Sequence, residues 1–448
     1  MRALWPVVAA VLIRLVVWLW VPASQFASDE DSYYQVATAL LARGHQDLFW
    51  PPVTGWLIAL TRWLLQTDAV SAIRLVWIGF DLGCLAAVGI LATRVVPAVS
   101  GGDLARATRF TVAVTLAYAL YLPAISFAQF TTSETPALLQ TLIILVLLTR
   151  PQTSAAVSAM AGVLAGTLTL TRPSLLPLLV LLPLARYLGE ISNVDVRRAR
   201  TAAVVFTLAG TTVVAAVMAR NLIQYGDFTI ARNSAYNLYI GNRDMYGEDL
   251  DLFSPRATAG QIEFRRQMWS GELVYPTGSP SELQREAFSW IAEHPSVFLR
   301  RALGRLARVF APRTDVLELA GGERAAGIFS PVSLGLLVVA NLQWTVILFA
   351  GIPGLMALRR FDRRTGFVLL AAVLGALPLC LIAISKPRYS FTFDPVLLLG
   401  AAVFLSSPGQ AWAALGRGER LIVAAFSLFV LWGWAAWLVF ALSSRMAP

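Results

Sequence analysis

Two short stretches of this chain hold residues whose types and spacing suit chemistry. The first is 28–56, SDEDSYYQVATALLARGHQDLFWPPVTGW, where Asp29, Glu30 and Asp31 stand in a row beside Tyr33 and Tyr34, between two apolar segments. Carboxylates grouped at a membrane boundary are costly unless exposed, paired or functional. A carboxylate that is free to act can take a proton from a reacting group, although Asp29 is also where a helix-capping acid would stand. The second stretch is Ser385-Lys386-Pro387-Arg388-Tyr389, which contains the only lysine of the chain. Two cations separated by one proline at a membrane surface suit a phosphate clamp. Two single residues join them. Arg172, followed by Pro173, carries a planar guanidinium suited to phosphate, or it snorkels to the surface. Glu134, in TTSETPALL, either reaches a site or caps a helix with Ser133.

These residues need elements to hold them. Behind the acids, Val36, Leu40 and Leu41 with Ala37 and Ala39 share one face of a short helix. Gly44 is its expected C-cap, and Trp50-Pro51-Pro52 is a rigid stop. Residues 52–66 are apolar but short and interrupted by Arg62, as an interfacial helix would be. The chain of 448 residues is 57% hydrophobic and 14% charged. A soluble domain would carry about 25% charge, so the fold class is an all-α polytopic membrane protein. The net charge of +10 points to topology rather than nucleic acid, because the arginines flank apolar spans. Cys84 and Cys380 lie inside apolar segments and are expected neither to pair nor to bind metal.

About eleven spans are expected at roughly 20 residues each: 4–23, uncleaved and interrupted by Arg14, then 70–96, 107–127, 134–150, 155–171, 173–189, 201–220, 331–357, 366–384, 390–406 and 420–442. With the amino terminus inside, arginines crowd the short inner loops, as at Arg197, Arg198, Arg359 and Arg360. The acids and the lysine turn then face outward. The expected organisation is an amino-terminal membrane region, 1–220, with its first outer loop at 24–69. An extracytoplasmic segment, 221–330, and a carboxy-terminal membrane region, 331–448, follow. Within 221–330, Ser279-Pro280-Ser281-Glu282 reads as a capped helix start and Pro295 as a break. The stretch SVFLRRALGRLARVFAP then reads as a basic amphipathic helix, suited to an anionic lipid surface or packed on the bundle.

In order along the chain, the Asp-Glu pair with Tyr33 four residues on, the short helix ending in Gly44, and Pro51-Pro52 resemble the first external loop of GT-C membrane glycosyltransferases. The pattern is nearest to the aminoarabinose transferases of lipid A, the protein O-mannosyltransferases and their bacterial relatives. Thr171-Arg172-Pro173 and Arg388-Tyr389 resemble family turns. The run from Arg220-Asn221 through Asn233 to Gly241-Asn242 resembles a segment that lines the cavity in bacterial members. The resemblance implies a GT-C bundle that moves a sugar from a polyprenyl-phosphate carrier, with inversion, to an extracytoplasmic lipid, glycan or protein. It implies a bacterial plasma (inner) membrane location and an active site on the extracytoplasmic face. It makes Asp29 the catalytic base, with Glu30 beside it and Asp31 as the rival base. Asp31, Tyr33, Tyr34, Glu134, Arg172, Arg220, Asn221, Asn242, Lys386, Arg388 and Tyr389 become donor- or substrate-binding residues. No cofactor is expected; Asp29 and Asp31 form an Asp-x-Asp pair that some relatives use for a divalent metal, which the nearer relatives do not need. Sugar and acceptor stay open.

The competing reading is a polytopic transporter or lipid flippase without glycosyl transfer. Transporters place polar sites near the midplane, often in paired halves. Here only Arg14 and Asp81 stand deep, roughly 14–17 Å below the outer span ends at 1.5 Å per residue. A charge at that depth needs a partner, so the two are expected to pair with each other. Asp394 is expected to pair with a nearby cation.

Overall fold

The computed structural model describes residues 5–22, 29–44, 48–151, 154–190, 196–243, 250–270, 278–320 and 330–445. All regular structure among them is helical. The helices are α1 Trp5–Trp20, α2 Glu30–Arg43, α3 Pro52–Leu65, α4 Val70–Ser100, α5 Leu104–Ala119, α6 Leu122–Phe127, α7 Glu134–Leu148, α8 Ala155–Thr171, α9 Leu178–Glu190 and α10 Val196–Tyr225. There follow α11 Arg232–Gly241, α12 Ala259–Ser270, α13 Pro280–Glu293, α14 Pro295–Val309, α15 Pro331–Phe361, α16 Arg363–Gly375, α17 Pro378–Ile382, α18 Asp394–Ser406, α19 Pro408–Ala414 and α20 Arg417–Arg445.

Among the described residues, five helices are long and apolar enough to cross a membrane: Val70–Ser100, Val196–Tyr225, Pro331–Phe361, Arg363–Ile382 and Arg417–Ser443. Asp394–Ser406 and Pro408–Ala414, bent by 107°, would make a sixth. Trp5–Trp20, Glu134–Leu148 and Ala155–Thr171 are apolar but shorter. That is fewer than the eleven expected, and proline accounts for part of the difference. A proline in the first turn starts a new helix readily but cannot continue one. The expected span 107–127 therefore divides at Leu120, with Pro123 opening α6. The expected span 173–189 starts as the 3₁₀ turn Pro173–Leu175 before α9, and 390–406 starts within the 3₁₀ turn Pro387–Thr392 before α18.

Two close approaches set the frame for the acids and the lysine turn. α2 lies on α3 so tightly that a Cβ on Gly55 would stand 2.5 Å from Val36 Cγ1. α15 and α18 meet backbone to backbone, and a Cβ on Gly354 would stand 1.8 Å from the Gly400 carbonyl oxygen. Small residues at such crossings are how membrane helices gain van der Waals contact when lipid offers no hydrophobic drive. α2 ends as its sequence predicts, with Gly44 left-handed at φ 69° and its N–H on the Leu40 carbonyl. The capping box at Ser279 and Glu282 is present, and α13 stops before Pro295.

The basic helix α14 turns two of its arginines inward. Arg305 and Arg308 are buried, and Arg305 donates to the Gly241 and Leu381 carbonyls. Of the two readings of this helix, on anionic lipid or packed on the bundle, these two arginines fit the second. Periodicity separates apolar from polar positions but does not separate a solvated arginine from one that satisfies buried carbonyls.

The deep charges pair as expected. Arg14 Nε bonds Asp81, whose other oxygen accepts from Tyr118 Oη at 2.7 Å. Asp394 pairs with Arg313.

Candidate active site

Asp29 immediately precedes α2, yet its side chain makes no capping bond there. Instead it accepts from Arg388 Nη2 at 2.7 Å. Arg388 Nε stands 3.5 Å from Glu134 Oε1, which also pairs with Arg172 Nη1 at 2.8 Å. Arg172 reaches Ser133 Oγ at 3.4 Å and lies over the Tyr389 ring, 5.2 Å from its centroid. Four elements thus bring Asp29, Arg388, Glu134, Arg172 and Tyr389 into one charged cluster. They are the start of α2, the head of α7, the end of α8 and the 387–392 turn.

Accessibility differs within the cluster. The Asp29 side chain is 30% accessible and Arg388 14%, whereas Glu134 is 3% and Arg172 9%. Asp29 is therefore the acid an incoming molecule would meet. Its partial withdrawal from water would raise its pKa, but Arg388, Lys386 and Arg172 outweigh this and hold it below the usual carboxylate value. Tyr389 is pushed up to about 12, mainly by burial. Burial and then the charges of Asp29 and Glu134 push Tyr33 higher still, while a hydrogen bond with Ser133 opposes them. Both phenols are neutral, so they can donate hydrogen bonds.

Glu30, next to Asp29, points elsewhere. It is fully buried, pairs with Arg74 Nη2 of α4 at 2.8 Å, and accepts from both the N–H and Oγ1 of Thr131 at 2.8 Å. Trp77 Nε1 of α4 donates to the neighbouring Thr132 carbonyl at 2.9 Å. Glu30 therefore joins α2 and α4 to the loop that delivers Ser133 and Glu134. Its place is a strut beneath the site rather than a group that meets substrate. Asp31 is exposed and accepts from Gln35 at 2.9 Å, so of the two rival bases only Asp29 belongs to the cluster. Of the Asp-x-Asp pair, Asp29 is on Arg388 and Asp31 is on Gln35. Among the described residues no three His, Cys, Asp or Glu side chains gather in a way that could hold a metal ion. Tyr34 lies in the field of Glu30 and Arg74.

The remaining predicted residues stand apart or serve the frame. Lys386 lies close enough to lower the Asp29 pKa. Asn221 is buried and donates to the Thr229 carbonyl at 2.8 Å, closing the turn after α10. Arg220 makes no ion pair with the cluster. Asn242 donates to the Leu238 and Ile382 carbonyls, each at 2.8 Å, and accepts from Arg305. Its amide is thus committed to fixing α11 against α17, not open to a sugar.

The sequence missed Arg313. It is fully buried, bonds Asp394, donates to the Tyr121 hydroxyl at 3.3 Å and to the Pro387 carbonyl at 3.1 Å, and stacks on Trp344. It ties the turn bearing Lys386 and Arg388 to the bundle. The available signal was the isolated Pro-Arg-Thr-Asp run after α14.

No protein-family model matches the chain, and no curated protein matches it in sequence. Solved structures do resemble it. The chain is similar to the Archaeoglobus fulgidus oligosaccharyltransferase tethered with an acceptor peptide containing the NVT sequon, at 13% identity and TM-score 0.49, over 98% of this chain and 55% of that one. It is similar to AglB from the same archaeon in complex with an inhibitory peptide and a dolichol-phosphate, at 14% identity and TM-score 0.46, over 99% of this chain and 56% of that one. It is also similar to ArnT from Cupriavidus metallidurans bound to undecaprenyl phosphate, at 17% identity and TM-score 0.35, over 91% of this chain and 79% of that one. The chain spans little more than half the length of the archaeal proteins.

Proposed function

We propose that this protein is a membrane glycosyltransferase that takes a sugar from a polyprenyl-phosphate carrier, with Asp29 as base and Arg388, Lys386 and Arg172 receiving the phosphate. The observation that carries this reading is the direct contact between Asp29 and Arg388, the base and the cation that sugar transfer from a lipid phosphate would require side by side.

In the resting protein Arg388 neutralises Asp29. The donor's phosphodiester brings one negative charge, which becomes two as the sugar leaves, and it competes for that guanidinium, which frees a carboxylate oxygen to receive the acceptor's proton. The acceptor oxygen or nitrogen then bonds to the anomeric carbon as the bond from that carbon to the phosphate oxygen breaks. The electron pair leaves on the phosphate, where guanidinium and ammonium groups stabilise it. Attack opposite the leaving group inverts the anomeric centre. The crowding of arginines in the expected inner loops supports an extracytoplasmic site in a plasma membrane. Acceptors in view are lipid, glycan or protein.

The test is mass spectrometry of surface glycans and lipids from a strain lacking the gene, complemented at matched protein levels. Wild type should restore a sugar modification that Asp29→Asn does not. Restoration by Asp29→Asn would overturn the assignment of the base.

A further inference from the structure

Away from the charged cluster, α9 and α10 form a groove of about 560 Å³ on the outside of the bundle. Val180, Leu184, Val204 and Leu208 line it and are exposed. Its shape follows from a proline. Pro183 stands inside α9; its ring has no N–H, so the Leu179 carbonyl four residues back loses its helical donor. Thr207 Oγ1 of α10 supplies that bond at 3.2 Å. The same two helices close at Gly210, where a Cβ would stand 2.5 Å from Leu179 Cδ2. They are thus pinned at Leu179, and the groove runs from there toward the start of α10.

Tyr187 and Arg200 line the groove at that end. Arg200 is exposed and has no acidic partner among the described residues. Glu190, at the end of α9, is taken up by Arg186. With Thr207 spent on Leu179, the polar side chains left in the groove are one guanidinium and one phenol. α10 is among the helices long and apolar enough to cross a membrane. From Arg200 to Leu208 it advances roughly 12 Å, most of the roughly 15 Å of hydrocarbon in one leaflet. The groove therefore sets a cation near the headgroup level above an apolar channel that runs into the leaflet.

We propose that this groove binds an anionic phospholipid of the surrounding membrane. Its phosphate sits on Arg200 and Tyr187, and one acyl chain lies along Val180, Leu184, Val204 and Leu208. Charge complementarity selects the headgroup. Arg197, Arg198 and Arg200 crowd this end of α10, and basic pockets between membrane helices hold anionic headgroups. A guanidinium left without an anion at the hydrocarbon boundary is costly, and a phosphate accepts from both it and the phenol. The bound lipid braces α9 against α10, so its effect is on stability. The site does not rest on the sugar-transfer reading.

Native mass spectrometry of the full chain tests this, with phosphatidylglycerol or phosphatidylcholine added to the detergent. Thermal unfolding in the same detergent is the second readout. Wild type should retain phosphatidylglycerol over phosphatidylcholine and unfold at a higher temperature in its presence. Arg200→Gln should hold phosphatidylglycerol about tenfold more weakly, the scale of one hydrogen bond to a charged group, and lose the preference. Ala203→Trp, which fills the groove, should lose the bound lipid. Arg198→Gln removes a charge from the same helix end but outside the groove, and should keep the wild-type preference. Glycerol phosphate, a headgroup without chains, should leave the unfolding temperature unchanged. Equal weakening in Arg198→Gln and Arg200→Gln would reduce the preference to surface charge and overturn the proposal. So would equal retention of the two lipids by wild type, wild-type retention in Ala203→Trp, or equal stabilisation by glycerol phosphate. If Arg200→Gln does not fold, the wild-type preference and Ala203→Trp decide.

Discussion

Asp29 and Glu30 are neighbours in sequence and opposites in role. One is partly open and bound to a cation of the 387–392 turn; the other is shut away on Arg74 and Thr131. Both follow from their positions at a helix start, where successive side chains leave the axis in different directions. With its pKa lowered, Asp29 stays ionised until the pH falls below the ordinary aspartate value of about 3.9. Its contribution to stability is present above that value and lost as the pH falls through the lower folded one. In the transfer reaction, the acidic limb of kcat/KM reports the free enzyme and that of kcat the substrate complex. The limb in kcat should lie at higher pH, because the carrier phosphate draws Arg388 from Asp29. Coincident limbs would argue against that competition. At this scale the acidic cluster and the Lys-Pro-Arg-Tyr turn were legible as residue types. That the two stretches converge was expected from their shared outer face, but the direct contact of Asp29 with Arg388 across 359 positions was not legible, because a pairing of distant segments leaves no local pattern. Arg313 was passed over for the same reason.

At the scale of elements, Glu30 sets the distance between the start of α2 and the loop before α7. Removing one partner of a buried ion pair leaves an uncompensated charge, at a cost of roughly 3–5 kcal/mol. Glu30→Ala should therefore lower the thermal unfolding midpoint in detergent markedly, and transfer should fall with it. A variant that unfolds with wild type would show that the strut is dispensable. Helix content, the Gly44 cap, the Ser279 capping box and the Pro295 break were readable, since each depends on a few adjacent residues. The span count was less readable. A window of apolar residues does not reveal that Pro123 begins a new helix inside it.

For the whole molecule, the frame is helices held by backbone approach and by charge pairs at depth. Arg14, Asp81 and Tyr118 join α1, α4 and α5, and the depth of Arg14 and Asp81 in their apolar segments made that pair predictable. Asp81→Ala should destabilise the protein or lower its activity without abolishing carrier binding; a variant as stable and active as wild type would refute a structural role.

The central claim is that base and phosphate cation share one site, and binding of undecaprenyl phosphate to purified variants tests it most directly. Arg388→Ala should weaken binding about tenfold or more, while Asp29→Asn, which leaves Arg388 without its internal competitor, should bind at least as tightly as wild type. Unchanged affinity in Arg388→Ala, or a loss in Asp29→Asn as large as that expected of Arg388→Ala, would contradict it.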